Sequence, residues 1–144
     1  MQEKDIVETE QEKKRSDREL KKECFLYARS NFQGKLFRNA DTGRDILVSR
    51  DGLDKWYNST KSREQSISIK KLDSILENSK QTDSKIDTKH RHTVDGYTYF
   101  TNFININNKL YKIILLTRET HGNDSKYYYH FLNDIKIEPD SRLA

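Results

Sequence analysis

Two strand-like segments flanking Asn107-Asn108 constrain this chain more than any other feature. Residues 97–106 are aromatic and β-branched, and residues 110–119 contain Ile113-Ile114-Leu115-Leu116, apolar at four successive positions. Successive strand residues face opposite sides, so such a run asks for cover on both faces and marks 110–119 as a central strand. An Asn pair suits a two-residue hairpin turn, whose central positions need positive φ. With Asn107 and Asn108 at the turn, Ile106 pairs with Lys109, Ile104 with Tyr111 and Phe100 with Leu115. That set is the natural core against helices. On the opposite face Phe103 meets Lys112 and Tyr97 meets Arg118. Aromatics beside cations suit a single-stranded nucleic-acid groove, and equally suit plain cross-strand packing.

The preceding chain reads as helical with one hairpin. Leu20, Cys24, Tyr27 and Ala28 share a helical face, predicting a helix over 17–31 that ends near Gly34 in a left-handed conformation. Residues 35–38 and 44–49 flank an Asn/Asp/Gly turn and predict a β-hairpin. A short helix over 51–57 follows, capped by Ser49 or Asp51, with Leu53 and Trp56 as its buried edge. Residues 58–66 read as loop, and Ile69, Leu72, Ile75 and Leu76 give amphipathic spacing over 68–78. Residues 79–89 carry neither pattern and are expected to form a long loop. A turn at 121–125 leads into a third strand over 126–134, with Pro139 in a tail.

Composition bounds the core. Of 144 residues, 33% are hydrophobic and 35% charged, with much of the charge in residues 1–18, which are expected to be disordered or a frayed helix. Residues 19–136 then form one domain and 137–144 a tail. The net charge of +4 admits a polyanionic partner without requiring one. Cys24 is the only cysteine, so an internal disulfide and a cysteine metal site are both excluded. No apolar run approaches the roughly 18–20 residues of a membrane span, so no membrane partner is expected.

Chemistry-bearing residues gather near the strands: His90-Arg91-His92 before the first, and Tyr127-Tyr128-Tyr129-His130 on the third. Imidazoles, guanidinium groups and phenols supply the proton donors, acceptors and cations that metal-independent RNA cleavage needs. The same groups could merely bind an anion.

The order Ala28-Arg-Ser-Asn-Phe-Gln-Gly34, Asn39-Ala-Asp-Thr-Gly43-Arg-Asp-Ile46, Val48-Ser-Arg-Asp-Gly52-Leu53, then Tyr127-Tyr-Tyr-His130, resembles a known group. These are the phage-associated nuclease domains of the barnase–EndoU–colicin–RelE-like (BECR) superfamily, found at the ends of phage polyproteins and polymorphic toxins. The resemblance spans roughly residues 25–135. It implies an α+β fold, with N-terminal helices packed on a mostly antiparallel, about four-stranded sheet, and metal-independent RNA cleavage, with tRNA the favoured substrate. Carried over, the family's positions fall at His90 to His92, Arg118, and Tyr128 with His130. Two departures stand out: Lys55 occupies a place where related domains often carry histidine, and Tyr129 a place that is often acidic.

Cleavage by 2′-hydroxyl attack needs a base, an acid for the leaving 5′-oxygen and a cation for the phosphorane. His92 or His90 is the expected base, His130 the acid, Arg118 the phosphate clamp and Tyr128 an orienting group, with acid and base exchangeable. Lys89, Arg91, Lys112, Tyr97 and Lys126 are the expected nucleic-acid contacts. Each has a plainer reading: His130 as a hydrogen-bonded structural histidine, Lys89 and Arg91 as exposed bases, His121 as a solvated turn residue. A His-x-His pair also matches zinc ligation, but no nearby Cys or carboxylate completes a set, so no metal or other cofactor is expected. The reading is a ribonuclease-type toxin or phage effector acting in the cytoplasm, delivered or secreted within a longer polypeptide and held in check by an acidic immunity protein or antitoxin. Its rival is a non-enzymatic nucleic-acid- or protein-binding domain of phage or host-interference machinery.

Overall fold

A computed structural model describes residues 6–86, 94–121 and 128–139, and the side chains of 6–82, 96–118, 137 and 139. The N-terminal segment, expected to fray, is tied down wherever it is described. Ile6 bridges to Ile106, its N–H donating to the Asn105 carbonyl at 2.8 Å. The Asn107 side chain, freed by the tight turn, accepts from Glu8 N–H at 2.9 Å. Thr9 and Glu12 form a reciprocal capping box that starts α1 (Glu10–Lys13). The Arg63 guanidinium then donates to the carboxylates of Glu8 (3.0 Å) and Asp17 (2.8 Å) and to the carbonyls of Glu12 and Arg15. Those hydrogen bonds hold its pKa above the ordinary arginine value. Lys70 reaches Glu12 at 3.0 Å. Burial pushes the Glu12 carboxyl up, but the Thr9 and Lys70 hydrogen bonds outweigh it and leave the pKa lowered.

A second capping box, Ser16 with Glu19, starts α2 (Asp17–Asn31), and Leu20, Cys24 and Ala28 form its buried stripe. Tyr27, expected on that face, is 42% exposed; it lies at the margin of the stripe and packs edge-on against Phe32. Gly34 adopts the expected left-handed φ of 80°, and its N–H donates to the Val48 carbonyl as the chain turns into the hairpin. That hairpin is β1 (Leu36–Arg38) and β2 (Asp45–Leu47). Its turn is anchored by buried Asn39, whose amide donates to the carbonyls of Leu76 and Ser79.

Ser49 is the cap of α3 (Arg50–Ser59), which buries Leu53 and Trp56 as expected. The next helical stretch starts earlier than its apolar spacing suggests. Ser62 accepts from Gln65 N–H and opens α4 (Arg63–Ser68), a 3-10 turn over Ile69–Lys71 follows, and α5 (Leu72–Asn78) completes the segment.

The sheet has strands β3 (Lys80–Ile86), β4 (Val94–Ile106), β5 (Lys109–His121) and β6 (Tyr128–Pro139), in the order β1-β2-β6-β5-β4-β3. The α+β class and the mostly antiparallel pairing hold; among the described residues the β2–β6 pair and the single Ile6–Ile106 bridge are parallel. Among the described residues the sheet is six strands wide instead of about four, because the early hairpin joins it and because residues expected to be a loop form β3. Residues 80–85, Lys-Gln-Thr-Asp-Ser-Lys, contain no apolar side chain, so no alternation marks a strand that is held by backbone hydrogen bonds to β4. β6 also runs to Pro139 instead of ending near 134. Beside β6, the β2 pairing stops at Phe131, so proline there interrupts no ladder on that side among the described residues. The helices cover one face: Phe100, Ile104, Tyr111, Ile113 and Leu115 share a core with Leu20, Leu53, Trp56, Ile69 and Leu72.

Candidate nucleic-acid interface

Burial alternates where the two long strands meet, broken at Asn102, which is partly exposed. Thr98, Phe100, Ile104 and Ile106 of β4, with Tyr111, Ile113, Leu115 and Thr117 of β5, face the helices and are buried. The residues between them, Tyr97, Tyr99, Phe103, Lys112, Ile114, Leu116 and Arg118 among them, are partly exposed. The turn behaves as its sequence demands, with φ of 51° at Asn107 and 66° at Asn108. Every expected pair follows: Ile106 with Lys109, Ile104 with Tyr111, Phe100 with Leu115, Phe103 with Lys112 and Tyr97 with Arg118. The open face therefore carries two aromatic–cation pairs separated by an apolar centre. Tyr99, opposite Leu116, belongs to that surface and was legible from its spacing of two from Tyr97.

The candidate residues do not form one cluster. Arg118 and Lys112 share a face but stand six positions apart, about 20 Å along a strand. They mark two ends of a track. Lys89, His90, Arg91, His92 and Lys126 lie outside the described residues. For Tyr128 and His130 only the backbone is described: Tyr128 pairs with His121, and His130 lies between Glu119 of β5 and Ile46 of β2. Arg118 pairs with the next position, Phe131. Val94, Thr120 and Tyr129 are successive partners across β4, β5 and β6, so the start of β4, the end of β5 and the start of β6 share one end of the sheet. His92 precedes Val94 by two residues in the chain. In register, however, His130 falls in the row of Thr117 and Glu119, and Arg118 in the alternate row.

Among the described residues, no three His, Cys, Asp or Glu side chains gather closely enough to hold a metal ion. Cys24 is no candidate nucleophile: burial pushes its thiol up to about 12.

The profile of a domain family described as Large polyvalent protein-associated domain 3 matches residues 15–131. The chain belongs to that family. The large polyvalent protein-associated domain 3 match runs from the capping box of α2 into β6, and so takes in both the helical layer and the β4–β5 hairpin. The family is associated with polyvalent proteins of phages and toxins, compatible with a place inside a longer polypeptide. No curated protein and no solved structure matches the chain. No helix among the described residues is long and apolar enough to cross a membrane.

Proposed function

We propose that this large polyvalent protein-associated domain 3 is a BECR-like nuclease module that binds single-stranded RNA on its open face and cleaves it without a metal. The observation that carries the reading is the pairing of Tyr97 with Arg118 and of Phe103 with Lys112 on a partly exposed sheet face. Rings offer stacking surfaces to bases, and the two cations, about 20 Å apart at the ends of the track, meet phosphates several nucleotides apart. Cleavage is assigned to the end of the sheet shared by β4, β5 and β6. There His92 or His90 takes the 2′-hydroxyl proton and the oxygen attacks phosphorus. Arg118 stabilises the phosphorane, His130 protonates the leaving 5′-oxygen, and a 2′,3′-cyclic phosphate remains. Tyr128 orients the group, and Lys89, Arg91 and Lys126 add phosphate contacts. tRNA is the favoured substrate. The module acts in the cytoplasm of the cell it attacks, and an acidic immunity protein or antitoxin would cover the basic face.

The test is incubation of purified protein with total RNA in excess chelator. Wild type yields fragments ending in cyclic phosphate, while His130→Ala and Arg118→Ala lower the rate about 100-fold or more with unchanged melting. Intact RNA after incubation with folded wild-type protein sinks the nuclease reading. The alternation of the Arg118 and His130 rows favours a second reading, a non-enzymatic binding module. In that case RNA binds, Tyr97→Ala and Lys112→Gln weaken binding, and His130→Ala changes nothing.

A further inference from the structure

On the helical side, away from the open sheet face, the first turn of α2, the end of α3 and the start of α4 enclose a cavity of about 340 Å³. Three cationic side chains line it: Arg18 and Lys21, one helical turn apart on α2, and Lys61 from the α3–α4 connection. Its only carboxylate, Asp17, is held at 2.8 Å by Arg63, which lies outside the lining. Because Arg63 is shared with Glu8, Asp17 still offsets part of the lining charge, but three cations against one carboxylate leave it net positive. Among the described residues, none of the three makes an ion pair. Lys21 is instead positioned by Tyr57, its ammonium 4.5 Å from the ring centroid.

Three converging like charges repel, and a bound anion relieves that repulsion. The lining narrows which anion. The hydroxyls of Thr60 and Ser66 already donate to the carbonyls of Trp56 (2.6 Å) and Ser62 (3.2 Å), while that of Ser62, which accepts from Gln65 N–H, keeps its hydrogen for a ligand oxygen. With three cations beside few hydroxyl donors, charge dominates the recognition, which favours a concentrated dianion over a carboxylate. A phosphate monoester carries roughly −1.5 to −2 near neutrality, whereas an internal phosphodiester carries about −1. The volume is at the lower end of small-molecule sites, about 300–1,000 Å³, enough for a phosphate with an attached sugar or base.

We infer that this cavity binds a terminal phosphate monoester, carried either by a mononucleotide or by the phosphorylated end of a nucleic-acid strand. The inference does not rest on RNA cleavage and uses none of the residues assigned to it. It is tested by calorimetric titration of the whole chain, at low salt, with adenosine 5′-monophosphate and with adenosine. The monophosphate binds and adenosine does not. The double variant Arg18→Gln/Lys21→Gln weakens binding about tenfold or more while melting as wild type does, and Tyr97→Ala leaves it unchanged. Binding also weakens as pH falls through about 6, where the monoester takes up its second proton. A short DNA strand, lacking the 2′-hydroxyl, is compared with and without a 5′-phosphate. Competition with the monophosphate by the phosphorylated strand alone assigns the site to strand ends, and competition by neither strand assigns it to mononucleotides. Equal binding of adenosine and its monophosphate, or undiminished binding by the double variant, overturns the inference.

Discussion

On the helix-covered face of the β4–β5 pair, Phe100, Ile104, Ile113 and Leu115 are at most 1% exposed. On the other face Tyr99, Phe103, Ile114 and Leu116 are similar in size and stay partly exposed. The hairpin is thus apolar on both sides and covered on one. Covered residues are constrained by volume, since every methylene removed leaves a gap that the surrounding helices fill only in part. Residues on the open face have no helix to complement, and their constraint comes from what meets them. The cations Lys112 and Arg118 are interleaved with those side chains, whereas on the covered face the one described charge of the pair is Lys109, at its margin beside the turn.

The contrast is sharpest in stability. Leu115→Ala should cost about 2–5 kcal/mol, and Phe103→Ala under about 1 kcal/mol, read from urea unfolding midpoints. Equal losses would mean the open face is packed against something in the folded chain. Next in size is Arg63→Ala, which strands the buried Glu8 carboxylate and should cost about 1–3 kcal/mol. Limited proteolysis of that variant should cut first between residues 6 and 16. On the open face, Lys112→Gln should leave stability unchanged and lower the slope of log affinity against log salt for single-stranded RNA by about 0.7. An unchanged slope would remove Lys112 from the contact surface.

The smallest effect belongs to pH. The folded pKa of Glu12 is depressed, so its contribution is present above the ordinary carboxylate range and is lost as pH falls through the folded value. Glu12→Gln should therefore be less stable than wild type near neutrality and show a flatter loss on acidification. Parallel curves for the two proteins would show that the Lys70 contact contributes nothing to the acid response.

Local signals account for what was legible in the chain. The β4–β5 register follows from two asparagines that accept positive φ and from a period of two, both confined to about a dozen residues on each side. The ends of α2 and α3 follow likewise from Ser, Gly and apolar spacing within a few turns. Where a segment's partners are remote, the same reading failed. Glu8, Glu12 and their neighbours look like a solvated charge run until Arg63, Lys70 and Asn107 are brought to them from 55, 58 and 99 residues away. β3 shows no alternation because residues 80–85 are all polar, and its order comes from backbone pairing with β4, which no side-chain pattern records.

The candidate site divides along the same line. The imidazole, guanidinium and phenol side chains of the candidate site, the cation–aromatic pairs of β4 and β5 and the exclusion of an internal disulfide were determined by the amino-acid order alone. Only the tertiary structure decided that His130 stands beside Ile46 and Glu119 in the row alternate to Arg118, because a register shift between Leu116 and Thr117 sets how β6 meets β5. It alone also brought Arg18, Lys21 and Lys61 around one cavity. Hairpin register is fixed by contacts a few residues apart, whereas strand order and cavity walls depend on which distant surfaces bury one another, and no short window of sequence holds both partners.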